Sequence, residues 1–164
     1  MITFRKATLE DVEGIVEMIG HYAKEGLMLP RTRSSLYEGI WEFTVATVPA
    51  EPAEAENASE VIVGIGGLHI IWSDLAEIRS LAVNTAYARQ GIGRTLVHIL
   101  LDEARKLKCP KVFTLTYQVE FFEKLGFQLT KKEDMPHKVW KECLNCVKFP
   151  NCDENAMTLT LRES

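Results

Sequence analysis

Leu81-Ala82-Val83-Asn84-Thr85-Ala86-Tyr87-Ala88-Arg89-Gln90-Gly91-Ile92-Gly93-Arg94-Thr95-Leu96-Val97 is the stretch from which the fold is read. Leu81 to Val83 close an apolar strand that begins near Ala76, and Asn84 to Gln90 make a short polar loop. From Gly91 onward Ile92, Leu96, Ile99, Leu100 and Ala104 recur at helical spacing. A glycine-rich turn therefore opens a helix. The first turn of any helix presents N–H groups without intrahelical partners and a partial positive charge. Gly91 and Gly93 put no side chain between those donors and an anion, and Arg89 and Arg94 add positive charge. That is the make-up of a pyrophosphate cradle. Leu96 stands where a dinucleotide fingerprint needs a small residue, and the chain has no Gly-Lys-Ser/Thr Walker element. A strand-to-helix turn with glycines for tight packing is the competing reading of these residues alone.

The flanking residues decide between the two. Glu77-Ile78-Arg79-Ser80-Leu81-Ala82-Val83, then Arg89-Gln90-Gly91-Ile92-Gly93-Arg94, then Phe121-Phe122-Glu123-Lys124-Leu125-Gly126-Phe127 together resemble the GNAT superfamily of acetyl-CoA-dependent N-acetyltransferases. The resemblance runs over essentially the whole chain from Ile2, and is strongest to the acetyltransferase domain of N-acetylglutamate synthases. It implies an α/β (α+β) fold with a mixed, mostly antiparallel central sheet and helices on both faces. It also implies acetyl-CoA as co-substrate and an amino acid as acceptor; no metal is expected.

The bulk properties agree with that class. A chain of 164 residues suits a single domain spanning residues 1–164. A net charge of −4 gives no reason to expect nucleic acid as a partner. No apolar run is long enough to span a bilayer, and the first residues lack a signal-peptide layout, so no membrane association is expected. Four cysteines without an export signal lead us to expect the cytoplasm. A homodimer is compatible with this reading.

Along the chain, Ile2 to Lys6 alternates as a half-buried strand does. Thr8 and Asp11 have capping-box spacing before a helix whose buried stripe is Val12, Ile15, Val16, Ile19 and Tyr22 or Ala23. Gly20 and Gly26 read as breaks, the second as the helix end. A short helix is expected from Ser34 or Ser35 to Gly39. Ile40–Val48, Glu60–Trp72, Ala76–Val83, Val112–Leu115, Phe127–Thr130 and Ala156–Leu161 read as strands, and Val119–Leu125 as a helix. The acidic stretch 49–60 has no apolar periodicity and reads as a mobile hairpin tip; residues 131–155 form a long, mostly irregular segment. Gly64, Gly66 and Gly67 on one strand point to a bulge or a close backbone approach.

Site roles follow from the resemblance. The coenzyme falls to the backbone of Leu81, Ala82 and Val83 and to the cradle Arg89, Gln90, Gly91, Ile92, Gly93, Arg94 and Thr95. The pantetheine arm would pair with Leu81 and Val83 like a missing strand. Glu77 matches the acidic residue that takes the amine proton through a water. A free backbone N–H from Leu81 or Ala82 would face the oxyanion. The tyrosine that protonates the thiolate in the superfamily is replaced by Phe122, so Tyr117 is the candidate acid, with unassisted departure of the thiolate as the alternative. Ala88 stands at the first position of the superfamily's Arg/Gln-x-x-Gly-x-Gly pattern, and Arg89 at the next, often glycine. Leu29 with Arg31, then Arg33, Arg79, Ser80 and Lys138, are the acceptor-side candidates, the guanidinium being suited to a carboxylate. Cys143, Cys146 and Cys152, with His137 or Asp153, fall short of a zinc set, and ordinary thiols are the favoured reading. The expected activity is N-acetylation of L-glutamate, as in arginine biosynthesis. Glutamine or another amine as acceptor, and a CoA-binding regulatory domain without turnover, are the alternatives.

Overall fold

The computed structural model describes residues 1–51, 59–136 and 154–161. Its elements run β1 (Thr3–Lys6), α1 (Val12–Lys24), α2 (Arg33–Glu38), β2 (Phe43–Pro49), β3 (Glu60–Trp72), β4 (Leu75–Val83), α3 (Ile92–Lys106), β5 (Lys111–Thr116), α4 (Val119–Lys124), β6 (Gln128–Thr130) and β7 (Asn155–Thr160). This is the order read from the sequence. The strands form a seven-stranded mixed sheet in the order β1-β2-β3-β4-β5-β7-β6. β1/β2, β2/β3, β5/β7 and β6/β7 are antiparallel, and β4/β5 is parallel. Among the described residues no helix is long and apolar enough to cross a membrane. His137, Lys138, Cys143, Cys146, Cys152 and Asp153, and most of the acidic hairpin, lie outside the described residues.

Two compact units partition the chain, Met1–Leu68 with Ser80–Leu100, and His69–Arg79 with Leu101–Ser164. In the first, the stripe Val12, Ile15 and Ile19 of α1 packs with Leu36, Ile40, Phe43, Val45, Ile65 and Ala82. A second cluster joins Ala46 and Val63 to Ile92 and Leu96, which seats the start of α3 on β2 and β3. In the second unit Leu75, Phe113 and Met135 cluster, and Phe122 packs edge-on against both Phe121 and Phe127.

Two local expectations are corrected by the structure. Gly20 lies inside α1 and breaks nothing, because packing of the apolar stripe outweighs its weak helix propensity. The break comes at Gly26, whose φ is +73°. There Leu27 N–H reaches the Tyr22 carbonyl and Gly26 N–H the Ala23 carbonyl, at 3.1 and 3.0 Å, forming a Schellman motif. The residues Ile40–Glu42, read as strand, form a 3-10 turn before β2.

Arg5 and Glu60 carry a role that alternation alone does not reveal. The Arg5 guanidinium donates to both carboxylate oxygens of Asp11, at 2.7 and 2.9 Å, and to Glu60 Oε1 at 2.6 Å. The Thr47 hydroxyl donates to the other Glu60 oxygen at 2.8 Å, and the Thr8 N–H to Asp11 at 2.7 Å. Asp11 is thus both the arm of the cap and half of an ion pair joining β1 to α1. Burial disfavours its charge, but the bonds from Arg5 and the Thr8 N–H outweigh burial and hold the carboxyl below its ordinary range. The stabilisation is therefore complete above the unfolded value and lost as pH falls through the folded one. Asp11→Asn is expected to lower unfolding free energy by about 1–2 kcal/mol at neutral pH. Urea titrations should show that deficit closing below about pH 4. A deficit unchanged by pH would mean the pair contributes nothing as charges.

The glycines of β3 answer the packing question. The bulge falls between Ala46 and Thr47, whose partners are Gly64 and Ile62. A Cβ on Gly64 would stand 2.7 Å from Ile92 Cγ2 and 3.2 Å from Leu96 Cδ1. The bareness of Gly64 lets α3 lie that close to the sheet. Gly64→Ala should cost about 1–3 kcal/mol by overpacking. Gly20→Ala, with nothing within 4 Å of the new methyl group, should instead gain about 0.5–1 kcal/mol. Thermal melts of the two variants shifting the same way would contradict this.

Candidate active site

β4 ends in a peptide that changes the direction of the chain. Asn84 N–H donates to the Val63 carbonyl on β3 at 2.8 Å. The Asn84 side chain then accepts from Ala86 N–H at 2.9 Å and caps the 3-10 turn Thr85–Tyr87. Arg89 follows at φ +66° and Gly91 at φ +77°. Arg89 thus holds a left-handed backbone, at a cost of about 1–2 kcal/mol. The Gly91 carbonyl accepts the Thr95 N–H at 3.0 Å, so Gly91 is the N-cap of α3. The N–H groups of Ile92, Gly93 and Arg94 are then the first-turn donors without an intrahelical acceptor. Ile92 and Leu96 are buried and fix the helix, while Arg89, Gln90, Gly91 and Arg94 are exposed and Gly93 and Thr95 half-buried. A rigid helix start with three backbone donors, flanked by two exposed guanidinium groups, is suited to binding a diphosphate.

Upstream on β4, Leu75, Ala76, Ile78 and Ala82 are buried, while Glu77, Arg79, Ser80, Leu81 and Val83 are half-buried. Ser80 interrupts the regular backbone at φ +56°. The parallel ladder with β5 comprises Ala76↔Val112 and Glu77↔Phe113. One residue further on, the Thr114 hydroxyl donates to the Ile78 carbonyl at 2.9 Å, a side chain standing where a ladder bond would.

A family model for the acetyltransferase (GNAT) family matches residues 28–127. The chain belongs to that family. This N-acetyltransferase is 36% identical over 157 residues to an uncharacterised N-acetyltransferase, CT2212, of Chlorobaculum tepidum, covering 96% of this chain and 95% of that one. It is 40% identical over 123 residues to an amino-acid acetyltransferase of Mycobacterium tuberculosis, covering 75% of this chain and 66% of the relative. Among solved structures, Rv2747 of Mycobacterium tuberculosis in complex with CoA and NLQ aligns with a TM-score of 0.77 and 32% identity, over 98% of this chain and 99% of that one. N-acetylglutamate synthase of Neisseria gonorrhoeae, complexed with coenzyme A and N-acetyl-glutamate, aligns with a TM-score of 0.82 at 22% identity, which speaks for the fold alone. The acetyltransferase spans 99% of itself but only 36% of that synthase.

The remaining sequence candidates fall as follows. Arg31 is half-buried, with Nε donating to Ser35 Oγ at 3.1 Å, Nη2 to the Ser35 carbonyl at 3.4 Å, and its guanidinium carbon 5.9 Å above the Phe43 ring. Arg33 spends both arms on Glu13 of α1, at 2.7 and 2.9 Å, on the exposed surface. Leu29 is 40% exposed. Tyr117 is half-buried just past the end of β5, where Thr116 Oγ1 accepts the Gln118 N–H at 2.8 Å. Phe122, which the resemblance sets against the family's tyrosine, is a buried core ring.

Tyr22 was legible in the sequence only as part of an apolar stripe. Its hydroxyl donates to the Val83 carbonyl. Burial raises its pKa, which keeps the phenol a donor.

Proposed function

We propose that the chain is an acetyl-CoA-dependent amino-acid N-acetyltransferase acting on the α-amino group of L-glutamate, the chemistry that opens arginine biosynthesis. The observation that carries the reading is the start of α3, where Gly91 caps the helix and the N–H groups of Ile92, Gly93 and Arg94 are left for a diphosphate. The names of the amino-acid acetyltransferase relatives support the acceptor class.

In this reading the acetyl carbonyl carbon is attacked by the amine nitrogen. An N–C bond forms, the C–S bond breaks, and the thiolate leaves. Glu77, through a water, removes the ammonium proton that would otherwise block attack. The Asn84 N–H points to β3, so strand alternation turns the Leu81 N–H to the opposite edge, and Leu81 rather than Ala82 is the oxyanion donor. Tyr117 returns a proton to the thiolate, a step a sulfur leaving group also makes unaided. Arg31 takes the acceptor carboxylate; Arg33, already bidentate to Glu13, does not. Arg79 and Ser80 on β4, Leu29 before Arg31, and Lys138 complete the acceptor side.

The buried Phe122 and the alanine at position 88 favour one competing reading, a CoA-binding domain without turnover. One experiment separates the readings: CoA release followed with acetyl-CoA and each of the twenty amino acids. Release with glutamate supports the proposal. Release only with glutamine or another amine moves the acceptor, and saturable acetyl-CoA binding without release leaves the binding domain.

A further inference from the structure

The last peptide of β4 is held from both sides. A trans peptide directs its N–H and its C=O oppositely. The Asn84 N–H is bound to Val63 on β3, so the Val83 carbonyl of the same peptide points away from β3. That carbonyl accepts the Tyr22 hydroxyl. Tyr22 is itself fixed. Its backbone carbonyl accepts the Glu25 and Leu27 N–H groups of the helix end, at 3.2 and 3.1 Å, and its ring packs against the α1 core and edge-on to His21.

This peptide sits at a junction. Upstream, alternation turns the backbone groups of Leu81 and the Val83 N–H to the edge away from β3, where an amide-bearing arm can pair. Downstream, the Asn84-capped turn leads in eight residues from Asn84 to Gly91 and the helix donors. A coenzyme bound at both places spans this peptide, and a tilt of the peptide shifts one place against the other.

We infer that Tyr22 is a positioning residue for the coenzyme: by clamping the Val83–Asn84 peptide opposite β3, it fixes the register between the strand edge that takes the pantetheine arm and the helix start that takes the diphosphate. The inference rests on the acetyl-CoA reading given above. It also implies that the Val83 carbonyl is committed to Tyr22, so the arm pairs with the Val83 N–H and with the Leu81 carbonyl, the Leu81 N–H being kept for the oxyanion.

The test is Tyr22→Phe, which keeps the ring and its packing and removes only the donor. Calorimetry is run with acetyl-CoA and with 3′-phospho-ADP, the nucleotide half without pantetheine. Acetyl-CoA binding should weaken about three- to tenfold while 3′-phospho-ADP binding is unchanged. In turnover, KM for acetyl-CoA should rise by a similar factor with KM for the amino acid unmoved. Unchanged acetyl-CoA affinity, or equal weakening of both ligands, overturns the positioning role and leaves the acetyl-CoA reading intact. Failure of the wild-type protein to bind acetyl-CoA overturns that reading first, and the role of Tyr22 with it.

Discussion

Glu77→Gln is expected to lower kcat by about 10²- to 10³-fold at neutral pH, with the deficit narrowing as pH rises. An α-ammonium group has no lone pair, and in a free amino acid it stays mostly protonated at neutral pH. A carboxylate acting through a water removes that proton in the approach to the transition state. Glutamine keeps the shape and hydrogen bonding but accepts no proton. At high pH the substrate arrives already as the amine, so the base becomes dispensable and the two enzymes converge. Glu77 shares a face of β4 with Arg79 and pairs in register with Phe113, so a structural role is the competing explanation. The pH profile distinguishes them, because a structural defect depresses kcat equally at every pH. Thermal melts of the variant should remain close to wild type.

Arg31→Ala is expected to raise KM for the amino acid by about 10- to 100-fold and to leave KM for acetyl-CoA within about twofold. The guanidinium is positioned before any substrate arrives, by Ser35 on one edge and by the Phe43 ring beneath it. Charge-assisted, two-pronged recognition of a carboxylate depends on that plane. Arg31→Lys should therefore recover little, since an ammonium neither stacks on Phe43 in the same way nor presents a fork. Thr32 caps α2 through the Ser35 N–H, at 3.1 Å, so the helix should survive either change. A parallel rise in both KM values would remove Arg31 from the acceptor side.

The sheet and its helices were legible because their signals are local. The β-branched and aromatic content of Glu60–Trp72 and the helical spacing from Ile92 to Ala104 each describe one element, and the glycine turn between β4 and α3 announces itself by composition. What stayed hidden depends on partners distant in the chain. Arg5 was one polar residue of a strand until Glu60, 55 positions away, met it. Tyr22 was one position of a stripe until it met Val83, 61 positions away. Arg33 stood behind Arg31 among the acceptor candidates, and its pairing with Glu13, 20 positions away, was not visible in the sequence. The left-handed backbones of Ser80 and Arg89 lay beyond reach for another reason: neither residue type announces a positive φ.

The segment between α1 and α2 is fastened at its start by the Schellman bonds around Gly26, at its end by the Thr32 cap, and from beyond by the Arg33–Glu13 bridge. Immobilising a loose loop at each encounter would subtract on the order of 1–2 kcal/mol per ordered residue from the affinity for whatever it grips. Here that entropy is surrendered once, during folding. On the proposed reading, recognition at Arg31 resembles lock-and-key capture, and acceptor association should proceed without a slow loop-closing phase.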